Sequence, residues 1–138
     1  PDDAYYQKAV SVAAQTKDIA EFLSDQDLSS LSVENTKISY HAPCSLQHGQ
    51  KLPNLVEGLL SKLGYELAPI TDAHLCCGSA GTYSIFQPEI SKQLRDNKLE
   101  NLSQSQPNLI VTSNIGCQMH LAKGTDTDVK HWIELLDN

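Results

Sequence analysis

The sequence predicts an α/β fold, a doubly wound and mostly parallel sheet of four strands with helices on both faces. Short runs rich in β-branched and aromatic residues alternate with longer segments in which apolar residues recur every three or four positions. This alternation is typical of parallel strands joined by right-handed helical crossovers. A length of 138 residues suits one main domain, which would bury roughly 70% of its unfolded surface.

The chain divides into residues 1–35, an N-terminal helix and linker continuing from a preceding domain, and residues 36–138, the cysteine-rich α/β domain. In the first part, the apolar spacing predicts one helix over residues 3–23, followed by a polar, serine-rich linker. In the second part, strands are predicted at residues 37–41, 65–70, 109–112 and 128–131. Helices are predicted at residues 52–63, 117–123 and 132–136. A helical region is also predicted over residues 78–102, with a helix start at Pro88 within it.

The composition indicates which partners the surface suits. The formal net charge is −7, with ten lysines and arginines. An acidic surface disfavours nucleic acid and anionic membranes as partners. Apolar runs such as residues 109–111 are far too short to cross a bilayer, so no transmembrane segment is expected. Because the chain opens on Pro1 and shows no leader, we expect a fragment of a longer, cytoplasmic protein.

The four cysteines are the most informative residues, because each lies beyond a predicted strand. Cys44 follows the first strand, Cys76 and Cys77 follow the second, and Cys117 follows the third. The carboxyl ends of parallel strands meet at one edge of a sheet, so we expect the four thiols to converge there. In a reducing compartment they would be metal ligands rather than disulfides. Two disulfides in a secreted domain are the alternative, although adjacent cysteines bond only with strain.

Three kinds of site remain open for the thiols. Four thiolates suit a four-iron cluster. Zinc would use Cys44, one or both of the adjacent pair, Cys117 and His120. A nucleophilic cysteine with a histidine base is the third possibility, although one nucleophile would not explain four thiols.

Neighbouring residues suggest supporting roles around the thiols. His41 and His74 precede cysteines closely and are candidates to hydrogen-bond a sulfur or a ligand atom. Gly78 would let the backbone approach a cluster. Helices beginning near Gly78 and Cys117 would direct N–H groups toward the thiols and stabilise thiolates.

The cysteine pattern carries a resemblance to a known family. The spacing of Cys44, Cys76-Cys77-Gly78 and Cys117 resembles the cysteine-rich CCG domain of heterodisulfide reductase-type proteins. Within that family, residues 10–138 are most similar to the C-terminal CCG domain of glycolate oxidase iron-sulfur subunits. The similar stretches are residues 40–44 (YHAPC), 76–83 (CCGSAGTY), 95–98 (RDNK), 114–121 (NIGCQMHL) and 130–134 (KHWIE).

The resemblance implies a redox role without catalysis by this domain. Such subunits carry an N-terminal ferredoxin-like region and two CCG domains. They relay electrons from flavin subunits, where glycolate is oxidised to glyoxylate, toward an acceptor such as quinone. A 4Fe-4S cluster on Cys44, Cys76, Cys77 and Cys117 is implied, in a complex that is cytoplasmic or peripheral at the inner face of the cell membrane. No catalytic residue is expected, and no G-x-G-x-x-G or G-x-x-x-x-G-K motif is present.

One departure from the family leaves alternatives. The broader family has a fifth cysteine where this chain has His120. Five thiols can build a noncubane cluster in which cysteines bridge irons. With the four thiols of this chain, three alternatives are open: a conventional four-iron cluster, a zinc site or an empty scaffold. The last two would make the chain a docking domain that assembles the flavin subunits.

Overall fold

The computed structural model of the chain describes residues 3–31, 33 and 36–137. The part that it describes contains one all-parallel, four-stranded sheet with the strand order β2-β1-β3-β4. The strands are β1 (Lys37–His41), β2 (Glu66–Leu67), β3 (Leu109–Thr112) and β4 (Val129–His131). The chain runs outward from β1 to β2 and then returns to build the other half of the sheet, so the predicted α/β class is confirmed.

The helices join these strands in chain order. Those of the described residues are α1 (Asp3–Gln15), α2 (Ile19–Ser24), α3 (Leu55–Lys62), α4 (Tyr83–Phe86), α5 (Pro88–Ser103) and α6 (Ile115–Ala122). A π-helical turn, Ser45–Gly49, follows β1, and 3-10 turns lie at Ser29–Leu31 and Trp132–Leu136. None of the described helices combines the length and the apolar character that a membrane crossing requires.

Strand alternation divides the core between the two faces of the sheet. Ile38, Tyr40 and Val111 pack with α2, α3 and the buried Trp132. Ile110 lies on the other face, with residues of α5 and α6. Successive side chains of a strand point to opposite faces, so Ser39 and His41 lie on the α5 side of β1. The hydroxyl of Ser39 donates to the carbonyl of Leu102 in α5, at 2.7 Å.

The single helix predicted over residues 3–23 is two helices in the structure. Asp18 caps α2, since its carboxylate accepts from the Ala20 N–H at 2.9 Å and its own N–H donates to Glu21 at 2.8 Å. This capping box starts a new helix inside a continuous apolar pattern. No side chain of α1 is buried. The predicted domain boundary after residue 35 lies beside residues outside the described ranges and stays a prediction.

Other element boundaries shift for local reasons. Helix α3 begins at Leu55 rather than at residue 52, because Asn54 before it has a φ of 63°. Strand β2 has two residues, and Pro69 shortly after it has no N–H to extend the ladder. After the cysteine pair the backbone turns instead of becoming helical, with positive φ at Gly78 and Gly81. The helix start predicted at Pro88 is confirmed.

Two glycines of the α3 segment provide a matched test of the fold. Gly64 ends the helix with a φ of 102°, and a Cβ there would lie 2.9 Å from the carbonyl oxygen of Val33. We expect Gly64→Ala to lower the free energy of unfolding by about 1 kcal/mol or more. Gly58 lies inside α3 with open space around it, so Gly58→Ala should raise the free energy of unfolding by about 0.5–1 kcal/mol. Urea unfolding measures both, and a Gly64→Ala protein as stable as wild type would contradict this account.

Candidate metal centre

The four thiols line one cavity at the carboxyl edge of the sheet. The cavity has a volume of about 260 Å³, and Cys44, Cys76, Cys77 and Cys117 all line it, together with His41. All four cysteines are free thiols. The cavity lies where β1 and β3 are neighbours, which is the point at which the winding of the sheet reverses.

The cavity has a buried inner part and an exposed outer part. Cys77, Cys117 and His41 are buried, with at most 7% of each exposed. A ring nitrogen of His41 and the sulfurs of Cys77 and Cys117 all lie within 4.8 Å of one another. Cys76 is half-buried and Cys44 is exposed. The inner three donors are therefore already at the separations of a metal site.

Local backbone structure positions the two single cysteines. Cys44 begins a turn in which the carbonyl of Pro43 accepts from the N–H groups of Leu46 and Gln47, both at 3.1 Å. Cys117 lies in the first turn of α6, where the side chain of Asn114 accepts from the N–H groups of Gly116 at 2.9 Å and Cys117 at 3.2 Å. The predicted start of α6 near Cys117 thus falls two residues earlier, and the positive end of the helix faces the thiol.

The adjacent pair depends on a close approach of two backbones. Gly78 has a φ of 84°, and a Cβ on it would lie 2.5 Å from the carbonyl oxygen of Ser91 in α5. The hydroxyl of Ser91 donates to the Gly78 carbonyl at 2.7 Å. The Gly78 N–H donates to the sulfur of Cys76 at 3.3 Å. Gly78 therefore supplies an N–H to a thiol as expected, but from a turn rather than from a helix.

The two inner thiols, Cys77 and Cys117, interact with each other. The hydrogen bond between Cys117 and Cys77 lowers the pKa of the Cys77 thiol and raises that of the Cys117 thiol. The hydroxyl of Ser79 lies 3.4 Å from the sulfur of Cys77 and 3.8 Å from that of Cys117. Burial, followed by the proximity of Cys76, raises the pKa of the Cys44 thiol. The Cys77 thiol therefore loses its proton more readily than the Cys117 thiol.

The three histidines considered as site residues have separate locations. Only His41 lines the cavity. His120 points toward α5, with Nε2 at 3.2 Å from the hydroxyl and 3.3 Å from the carbonyl oxygen of Ser91. His74 is exposed in the loop before the cysteine pair. A zinc site that used His120 would require this side chain to leave Ser91, and the roles of His74 and His120 stay predictions.

Lys98 is a residue near the site that the sequence analysis did not single out. It is 1% exposed on α5, and its ammonium donates to the carbonyls of Ala73 at 2.9 Å and Asp72 at 3.3 Å. Within the described ranges, no carboxylate forms an ion pair with it. Burial lowers its pKa, while the cysteine thiolates, Cys77 first among them, act in the opposite direction. The sequence signal was a lysine four residues before Leu102, on the core side of the helix.

The donor set fits an iron-sulfur cluster. Thiolate sulfur is the ligand that such clusters take, and four sulfurs share the cavity. Both ring nitrogens of the buried His41 lack a partner at full hydrogen-bond geometry in the described structure, and the nearness of the ring to Cys77 helps to lower the pKa of that thiol. The ammonium of Lys98 and the N–H of Gly78 can offset the negative charge that a thiolate-bound cluster would bring.

The fold and the cysteine pattern together define a class of protein. The family model of the cysteine-rich domain, CCG, matches residues 38–122. The chain therefore belongs to the CCG cysteine-rich domain family.

Curated relatives cover almost the whole chain. It is 46% identical, over 99% of its length, to the glycolate oxidase iron-sulfur subunit of Escherichia coli strain K12. It is 29% and 26% identical, again over 99%, to the lactate utilization protein A of Anoxybacillus flavithermus and of Shouchella clausii. The chain spans 34% of the length of the first relative and 61% of the other two.

We expect Lys98 to hold the loop that leads into the cysteine pair. Lys98→Met keeps the apolar stem and removes the ammonium that binds the carbonyls of Asp72 and Ala73. Amide hydrogens of residues 72–77 should then exchange about tenfold faster or more, as expected from losing about 1.4 kcal/mol of charge-assisted hydrogen bonding. Hydrogen exchange read by mass spectrometry measures the effect.

The matched control for this change is Lys92→Met. Lys92 lies on the same helix with its side chain exposed, so its removal should leave exchange in residues 72–77 unchanged. Equal protection of the loop in the Lys98 and Lys92 variants would contradict the proposed restraint.

Proposed function

We propose that the chain is a domain of the iron-sulfur subunit of a 2-hydroxy-acid oxidase complex, with glycolate as the substrate of the complex. In this proposal the domain binds a 4Fe-4S cluster and relays electrons from flavin subunits toward an acceptor such as quinone. The observation that carries the proposal is the convergence of all four thiols of the chain on one cavity.

The names of the relatives support the proposed substrate class. The E. coli relative is named for glycolate, and the other two are named for lactate. Glycolate and lactate are both 2-hydroxy acids, so both kinds of relative support that class. The 46% identity to the first relative, against 26–29% for the others, favours glycolate.

The four cysteines and nearby backbone N–H groups would hold the cluster. Cys44, Cys76, Cys77 and Cys117 would bind it through sulfur, and the bound cluster would supply one-electron transfer. The Gly78 N–H reduces the charge on the sulfur of Cys76, to which it donates at 3.3 Å. The N-terminal turn of α6 does the same near Cys117. These contacts stabilise the extra negative charge that accompanies an added electron.

A second function, docking of flavin subunits without electron relay, has one observation in its favour. Large apolar side chains are exposed on α4 and α6 next to the cavity: Ile85, Phe86, Ile115 and Met119 are between 59% and 75% exposed. Exposed apolar side chains grouped in this way are typical of interaction surfaces. In this alternative the thiols hold zinc or nothing.

The deciding experiment compares the intact complex, purified without oxygen, with its Cys77→Ser/Cys117→Ser double variant. We expect iron and acid-labile sulfide each to fall by about four per polypeptide, because a 4Fe-4S cluster needs these thiolates. Measuring the difference makes the result independent of any other clusters in the protein. Reduction of the flavin by glycolate should persist, while electron transfer to an external acceptor should fall at least about a hundredfold if the cluster is an obligatory relay.

The outcomes separate the two functions. Unchanged iron, sulfide and electron transfer in the double variant would overturn the cluster proposal and support docking. Loss of zinc in place of iron would support the zinc form of docking. Unfolding measurements on both proteins show whether the serine variant has kept its structure, since loss of the fold would also remove the cluster.

A further inference from the structure

We propose that His41 is itself an iron ligand, the fifth protein donor of the site, beside the four cysteines. This inference rests on the proposed iron-sulfur cluster. It assigns to His41 a direct bond to metal rather than the supporting hydrogen bond expected from the sequence.

The position of His41 is fixed by the sheet. It is the last residue of β1, a strand with neighbours on both sides, and its carbonyl accepts from the hydroxyl of Thr112 at 2.9 Å. Its side chain is 1% exposed and lines the cavity. An imidazole on a central strand has little freedom to leave this position, which is the rigidity that a ligand needs.

Neither ring nitrogen of His41 has a partner at full hydrogen-bond geometry among the described residues, although the ring lies close enough to the sulfur of Cys77 to lower the pKa of that thiol. Buried polar atoms are nearly always paired, so an imidazole with two unmatched nitrogens indicates a partner that binds in the cavity. A neutral imidazole has one lone pair and one N–H. If His41 only donated a hydrogen bond to sulfur, its lone pair would stay unmatched in a buried place.

Ligation can match both nitrogens at once. The lone pair would bind iron, and the remaining N–H could donate to a thiolate or sulfide. The ring nitrogen already lies within 4.8 Å of the sulfurs of Cys77 and Cys117, which are separations that ligands of one metal centre have. Imidazole is an established kind of ligand for iron, including iron in iron-sulfur clusters.

The alternative histidine donor is occupied elsewhere. The Nε2 atom of His120 lies within hydrogen-bond distance of the hydroxyl and the carbonyl oxygen of Ser91, and His120 does not line the thiol cavity. His41 would bind one iron through one ring nitrogen, and the four cysteines would supply the other protein ligands. A neutral donor also leaves the cluster less negative than a fifth thiolate would, which favours reduction.

Spectroscopy on the intact complex, purified without oxygen and containing isotopically labelled histidine, tests the ligand directly. Pulsed electron paramagnetic resonance should show strong coupling of the cluster to a histidine nitrogen in wild type. His41→Ala should abolish this coupling. His120→Ala, the matched control, should keep it. His41→Cys should retain the iron and sulfide, lose the nitrogen coupling and lower the reduction potential, because a thiolate replaces a neutral donor.

Mössbauer spectra of iron-enriched protein provide a second readout that needs no paramagnetic state. One iron site should differ from the others in wild type and in His120→Ala, and should become sulfur-ligated in His41→Cys. Absence of the nitrogen coupling and of a distinct iron site in wild type would overturn the proposal even where a variant does not fold.

The possible failures are distinguishable. A cluster with full iron and sulfide but no nitrogen coupling and no distinct iron site would overturn the ligand role of His41 and leave the proposed function standing. Coupling that persists in His41→Ala would also overturn it. Absence of iron and sulfide attributable to the four cysteines would overturn both.

Discussion

The parallel pairing of β1 with β3 is the constraint on which the site depends. The register sets Ile38 beside Leu109 and His41 beside Thr112, so the two strands end level. Crossovers to β2 and to β4 leave this pair in opposite directions, and the thiol cavity lies among the loops that follow. The register places the loops of Cys44 and Cys117 at this edge of the sheet, and α5 brings the adjacent pair to the same cavity through its contact with Gly78.

The fold class and the convergence of the thiols could be predicted from the sequence, because both follow from periodicity and chain order. Strand and helix periods identify the alternation, and three loops after parallel strands must meet at one edge. The division between α1 and α2 also has a sequence signal, the Asp18 and Glu21 capping box, but the apolar spacing continues across it and predicts one helix. The shortening of β2 before Pro69 similarly follows a local rule.

Which histidine lies among the thiols could not be predicted in the same way. Whether His41 faces the thiols depends on which face of β1 its side chain occupies, and whether His120 does depends on its contact with Ser91. Both are tertiary properties with no periodic signal. The burial of Lys98 could not be predicted for a related reason. A lysine in a mostly polar helix is usually solvated, and only the packing of α5 against the loop of Asp72 and Ala73 buries it.

Charge and burial make the inner and outer sides of the proposed centre different. The chain carries a net charge of −7, yet the buried ammonium of Lys98 has no carboxylate partner in the described part of the chain and interacts with the cysteine thiolates, Cys77 first among them. An added electron would therefore be stabilised on the inner side, near Cys77, by a buried cation that solvent screens little. Cys44 is exposed at the opposite side. Because electron exchange needs close approach, this exposed side is where a redox partner would come nearest to the cluster.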